Sequence, residues 1–132
     1  MSDTPPAAAV TTLAWKADAS GSIYWYSDQW YQYTGTTEEQ VKGWGWHISH
    51  HPKTLGDVLA RWTVCLATGR PFQMVFPLRG SDGVYRPFLT RVAPTFKDGN
   101  VTGWIGANIE VSDMLHGDLT DEWAALERKM DQ

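Results

Sequence analysis

Around Gly69 the spacing of apolar side chains changes from a helical period to a period of two. Before it, Leu55, Val58, Leu59, Trp62 and Leu66 recur on one face of a helical repeat. Thr54, three residues ahead of Asp57, reads as the N-terminal cap and Gly69 as the stop, which predicts a helix over 54–68. After it, Phe72, Met74, Phe76 and Leu78 alternate with Gln73, Val75, Pro77 and Arg79, which predicts a strand with one strongly apolar face. A chain that changes period in this way must pack a helix on a sheet, so the class is α+β.

The flanking segments fill in the order. Residues 15–17 and 23–26 read as two short strands joined by the turn composition Asp18-Ala19-Ser20-Gly21. Trp30, Tyr31 and Tyr33 crowd a short helical turn that ends near Gly35, and Thr36 with Glu39 fits a capping box for a second brief helix. Gly43-Trp44-Gly45-Trp46 and the following 47–51 read as irregular connection. Beyond Leu78, the turns Gly80-Ser81-Asp82-Gly83 and Lys97-Asp98-Gly99-Asn100 separate strands over 84–93 and 101–111. If the last strand pairs with the first, the result is a five-stranded antiparallel sheet in the order 2-1-5-4-3, with short helices and one longer helix on one face. Residues 1–12 are expected to be a flexible N-terminal segment, 13–113 the folded domain and 114–132 a C-terminal linker helix. In that tail Leu119, Trp123, Leu126 and Met130 make an a/d-like seam of about two heptads.

Charge and composition narrow the function. Residues 1–112 carry nine basic and nine acidic side chains, whereas 113–132 carry two and six, so the net charge of −4 sits in the tail. A neutral body lacks the positive field that phosphate backbones require, and no nucleic-acid partner is expected. With no basic region followed by an apolar run at the start, and no stretch near the roughly 18 apolar residues of a membrane span, the chain reads as cytoplasmic with no membrane partner. The single cysteine, Cys65, rules out an internal disulfide and reads as a buried packing thiol. His47, His50 and His51 lack the neighbouring Cys or carboxylates that would complete a metal site, so no metal is expected. None of the serines lies in a nucleophile elbow, no Gly-rich loop joins a strand to a helix, and no catalytic residue is assigned.

The ordered succession Gly21-Ser22-Ile23-Tyr24-Trp25, Trp30…Tyr33-Thr34-Gly35, Gly43-Trp44-Gly45-Trp46, His51-Pro52, Arg61-Trp62, Gly69-Arg70-Pro71-Phe72, Leu78-Arg79-Gly80-Ser81-Asp82-Gly83-Val84-Tyr85-Arg86 and Gly103-Trp104-Ile105-Gly106 resembles the PAS sensory domain. It is similar in particular to the aromatic-rich subgroup of bacterial sensor kinases and diguanylate cyclases, and the match covers 13–113. Three departures stand out. Lys53 and Thr54 follow His51-Pro52 where the family usually has two acidic residues. Pro87 follows Tyr85-Arg86 in what should be an internal strand, which predicts a bulge or a missing ladder bond. Glu110-Val111-Ser112 stands where Asp-Ile-Thr usually closes the last strand.

The resemblance implies a sensor or signal-relay module of a bacterial signalling protein, such as a two-component histidine kinase or a diguanylate cyclase, with the effector domain elsewhere on the same polypeptide. It implies a small ligand held between sheet and long helix, with Trp62, Leu66, Met74, Phe76, Leu78, Arg86, Phe88, Thr90, Val92 and Asn108 as the pocket candidates. It further implies Glu110, Val111 and Ser112 as the relay to the tail, and a homodimer. The alternative is a ligand-free dimerisation and coupling module. No cofactor is required. The long helix has no histidine, so haem would need a loop histidine; no Asn-Cys-Arg motif precedes that helix, so flavin could bind only noncovalently. The polar candidates Arg86, Thr90 and Asn108 are the informative ones, because an unpartnered buried polar group costs about 1–3 kcal/mol.

Overall fold

The computed structural model describes residues 12–111 and 118–131. Five strands, β1 (Thr12–Asp18), β2 (Ile23–Tyr26), β3 (Phe72–Arg79), β4 (Tyr85–Lys97) and β5 (Asn100–Glu110), form one antiparallel sheet in the order β2-β1-β5-β4-β3. Between β2 and β3 run α1 (Asp28–Thr34), α2 (Glu38–Val41), a 3-10 turn (Gly45–Ser49) and the long α3 (Pro52–Thr68), and α4 (Asp118–Met130) follows β5. No helix among the described residues is long and apolar enough to cross a membrane.

The alternation expected of the strands sorts the core. Leu13, Trp15 and Ala17 of β1, Phe88, Thr90 and Val92 of β4, and Trp104 and Asn108 of β5 are buried on one sheet face. Val58, Trp62 and Cys65 of α3 are buried against it. Trp62 is the hub, with its ring centroid 5.7 Å from Trp15 and 5.3 Å from Trp104, both edge-on. Opposite Trp15 in the β1–β5 ladder stands Gly106. A Cβ there would lie 2.1 Å from the Trp15 ring, so the indole can cover β5 only because this residue has no side chain.

Two caps differ from expectation. The long helix starts at Pro52, two residues before Thr54, because proline suits the first helical position and His51 serves as the cap. His51 Nδ1 accepts from the Lys53 N–H at 3.1 Å. The capping box of α2 is Thr37 with Gln40: Thr37 Oγ1 accepts from the Gln40 N–H at 3.3 Å, and Gln40 Oε1 accepts from the Thr37 N–H at 2.8 Å. Thr36 is instead engaged with Thr34, hydroxyl to hydroxyl at 2.7 Å.

Pro87 causes no bulge. It faces Pro77 in an unbroken β3–β4 register, and the irregularity of β4 lies at Thr95/Phe96. The Pro87 carbonyl accepts from the Val111 N–H at 3.0 Å, so its backbone polar edge points toward β5. By the antiparallel alternation, the Pro77–Pro87 pair is then one that exchanges no bonds, and the missing N–H falls where β5 runs out.

The tail forms a helix whose a/d-like seam, open in the sequence to a second protomer, the following domain or its own domain, has its Trp123 buried. Helix α4 lies against α3 and β3 of its own domain, with Trp123 buried and Lys129 Nζ paired with Asp57 Oδ2. The elements in extensive contact with β3 are α3, β4 and α4. This accounts for Val75 and Pro77, which have the outward parity of β3 yet are buried. The expected flexible segment at the start, and Ser112 with the rest of 112–117, lie outside the described residues apart from Thr12, which begins β1.

Candidate functional site

Two concavities compete. The larger, about 820 Å³, is an open groove on the outer face of the sheet between Trp25, Ile105, Ala93 and Arg91. The smaller, about 40 Å³, lies inside the domain between sheet and helices. The interior one is the candidate site, because residues with unpartnered buried polar atoms line it.

That wall is mostly aromatic: Trp15, Trp30, Trp46, Trp62, Phe72 and Phe76, closed by Ile23, Val58 and Val92. Its polar members are Thr90, Asn108 and His50. Thr90 and Asn108 are direct neighbours across β4 and β5, and Thr90 Oγ1 donates to Asn108 Oδ1 at 2.6 Å. Three other lining residues carry buried nitrogens with no hydrogen-bond partner among the described residues: Trp30 Nε1, Trp46 Nε1 and His50 Nδ1. Trp46 is placed by the 3-10 turn, and His50 follows that turn and bridges Leu78 at the free edge of β3. The His50 ring stands edge-on to Trp46 at 5.2 Å and to Phe76 at 4.8 Å. Burial, with repulsion from His47 added, pushes the His50 pKa down to about 3, so it is a neutral imidazole at ordinary pH.

Of the ten pocket candidates, Trp62, Phe76, Thr90, Val92 and Asn108 line this space. The other five do not. Phe88 and Leu78 are buried at the far end of the sheet, where the Tyr33 ring meets Phe88 at 5.0 Å and its hydroxyl donates to the Leu78 carbonyl at 2.8 Å. Arg86 shares their parity but sits at the rim. Its guanidinium grips Asp82 through two hydrogen bonds of 3.2 and 2.6 Å and lies 6.0 Å from the Tyr33 ring centroid. That pairing, with a bond from the Val84 N–H, pulls the Asp82 carboxyl down to about 2. Met74 opens onto a surface cleft beside Asp57, Ala60, Arg61 and Val64, and Leu66 is only half-buried. Cys65 is buried, donates to the Arg70 carbonyl at 2.9 Å, and has its pKa raised to about 11 by desolvation, which keeps it a thiol. At the end of β5, Glu110 is half-buried and Val111 is buried.

Trp15, Trp30, Trp46 and His50 were not among the candidates. The histidine-rich stretch has neither period, so nothing in its spacing tells which of its rings points inward. The signal that could have found them is the density of rings around Gly43 and Gly45, since large apolar side chains in an irregular segment need a core to enter.

The cavity volume sets the scale of any ligand. About 40 Å³ accommodates roughly three water-sized groups at 10–15 Å³ each. Drug-sized ligands need roughly 300–1,000 Å³. Haem and flavin do not fit this packing, and α3 offers no histidine to an iron.

A family model described as PAS fold matches residues 22–108. The uncharacterized protein y4lL of Sinorhizobium fredii is 33% identical over 102 residues, which is 76% of this chain and 12% of that protein, so the chain spans a small part of its relative. Among solved structures, the N-terminal domain of a diguanylate cyclase with PAS/PAC sensor from Marinobacter aquaeolei superposes with a TM-score of 0.69 at 19% identity, covering 80% of this chain and 99% of that one. The PAS domain of the fruit-fly ELK potassium channel gives 0.66 at 16% identity over 77% of this chain and 88% of that one. A LOV protein of Rhodobacter sphaeroides gives 0.63 at 18% identity over 86% and 65%. The chain belongs to the PAS fold family and is a PAS domain.

Proposed function

We propose that this domain senses a small molecule in the interior cavity and passes occupancy to the C-terminal helix α4. The observation that carries the reading is that three residues lining one largely apolar cavity, Trp30, Trp46 and His50, each carry a buried ring nitrogen with no partner among the described residues. Buried polar groups are nearly always satisfied, and leaving each one unmade costs about 1–3 kcal/mol. A guest that pairs with them gains what the free domain forgoes. The output side is supported by the placement of β3. One parity of this strand supplies Phe72 and Phe76 to the cavity, and α4 lies against the same strand. Glu110, Val111 and Ser112 form the covalent route between sheet and tail.

A second reading, a ligand-free module for dimerisation and coupling to an effector on the same polypeptide, draws support from the indoles that fill most of the interior. It also draws on the apolar groove around Trp25 and Ile105 on the outer sheet face. The two readings part in a thermal-shift screen of small metabolites. Under the sensor reading at least one compound raises Tm, and Thr90→Val with Asn108→Leu alters its effect. If no compound stabilises the wild type and native mass spectrometry finds no retained mass, the coupling module is the better account.

A further inference from the structure

The ligand class can be read from the cavity wall, on the footing that this cavity is the sensing site. We propose that the cavity takes a compact neutral molecule of about three to five non-hydrogen atoms, bearing an oxygen acceptor that receives a hydrogen bond from Trp46 Nε1–H. Three features carry this. The size follows from the free volume of about 40 Å³.

The acceptor follows from the chemistry of the orphans. An indole nitrogen can only donate, so Trp46 and Trp30 both demand an acceptor, and none of the described residues supplies one. Trp46 is the favoured donor because its ring centroid lies 5.2 Å from that of His50, a second lining residue with an unpartnered buried nitrogen. The imidazole adapts to the guest, since Nδ1 donates or accepts according to tautomer.

Neutrality follows from the absence of a counter-charge among the lining residues. Their only titratable side chain is His50, and Arg86 does not line the cavity and is held by Asp82. A carboxylate placed here would be desolvated with nothing to balance it. A purely apolar guest would fill the space but leave the indole N–H groups unmade. Short ketones, aldehydes and ethers meet all three conditions.

The test uses three four-atom probes of one shape: acetone, isobutene and acetate. Indole N–H resonances of the uniformly 15N-labelled domain report the wall directly, with Trp46→Phe and Trp30→Phe assigning the signals. Acetone is expected to shift the Trp46 indole resonance downfield and to saturate. Trp46→Phe is expected to weaken acetone about fivefold, read from other lining resonances, while Trp25→Phe on the outer face leaves it unchanged. Saturable shifts with isobutene or acetate equal to or stronger than those with acetone would overturn the ligand class and leave the sensing cavity standing. Acetone binding that is indifferent to Trp46→Phe would overturn the assignment of the donor. No saturable shift with any probe would overturn both the class and the cavity as a binding site.

Discussion

Thr90 and Asn108 face each other among indole and phenyl rings, and their 2.6 Å bond partners a hydroxyl and an amide that water does not reach. Asn108→Leu strands the Thr90 hydroxyl and is expected to lower unfolding free energy by about 1–3 kcal/mol. Adding Thr90→Val removes the stranded group and should recover most of that loss. Urea unfolding of the two single variants and the double variant gives the coupling, and strictly additive losses would contradict the pairing. Gly106 sets a steric limit of a different kind. Gly106→Ala drives a methyl group into the Trp15 ring, which Trp62 backs, and should cost about 1–3 kcal/mol as an overpacked core does; a neutral result would mean that Trp15 has room to move. His50 makes stability depend on pH. Burial holds its folded-state pKa near 3, against about 6.5 when exposed, so below about pH 6.5 the unfolded chain binds a proton that the folded chain refuses. The contribution of neutral His50 is complete above that pH and declines as pH falls toward 3, at up to about 1.4 kcal/mol per unit. His47, shifted the same way by burial, adds to the slope. Unfolding between about pH 7 and 5 should show the decline in wild type and a flatter line in His50→Phe, whatever that variant's absolute stability; equal slopes would contradict the assignment.

Among the elements, β3 and α4 teach most about what the chain's pattern declares. The change of period at Gly69 was enough to place α3 and β3, because a buried stripe and an alternating face are direct consequences of backbone geometry. The sheet order followed once the last strand was paired with the first, and the cavity-facing residues of β4 and β5 came from the resemblance to the PAS family rather than from their own spacing. Three things were harder. Capping depends on which side chain reaches which N–H, so Thr36 and Thr54 were each displaced by neighbours, Thr37 in one case and His51 with Pro52 in the other. The cavity wall drew on an irregular segment, where Trp46 and His50 carry no period to read. The third was α4, although its docking had a visible sign. Met74 to Leu78 is an unbroken apolar run, the pattern of a strand covered on both faces rather than one. The seam Leu119, Trp123, Leu126 and Met130 has the matching cover, and its most buried member is Trp123. Trp123→Ala is therefore expected to undock α4, read as faster hydrogen exchange over 118–130 with the sheet unaffected. Lys129→Ala should do far less, because its pair with Asp57 is largely exposed and such pairs are worth about 1 kcal/mol or less. Equal effects from both variants would mean that charge rather than packing holds the helix.

At the scale of the whole molecule, the cavity and helix α4 share one strand, β3. A guest pressing on Phe72 and Phe76 presses on the strand that α4 leans against, and packed interiors transmit such strain because they have little free volume to absorb it. Under the proposed function, signal transfer needs no large motion, only two packings of α4 on β3 that occupancy biases by different amounts. The most direct measurement separates filling of the cavity from any contact with α4. Val92 lines the cavity from β4, a strand outside the α3–β3–α4 contact, so Val92→Ile adds one methylene to the space without touching the helix. Hydrogen exchange over 118–130, with the Trp46 indole resonance confirming that the cavity is perturbed, should be severalfold faster in this variant than in wild type while β1 and β2 exchange alike. A perturbed Trp46 with α4 exchanging at the wild-type rate would contradict the coupling of cavity to helix.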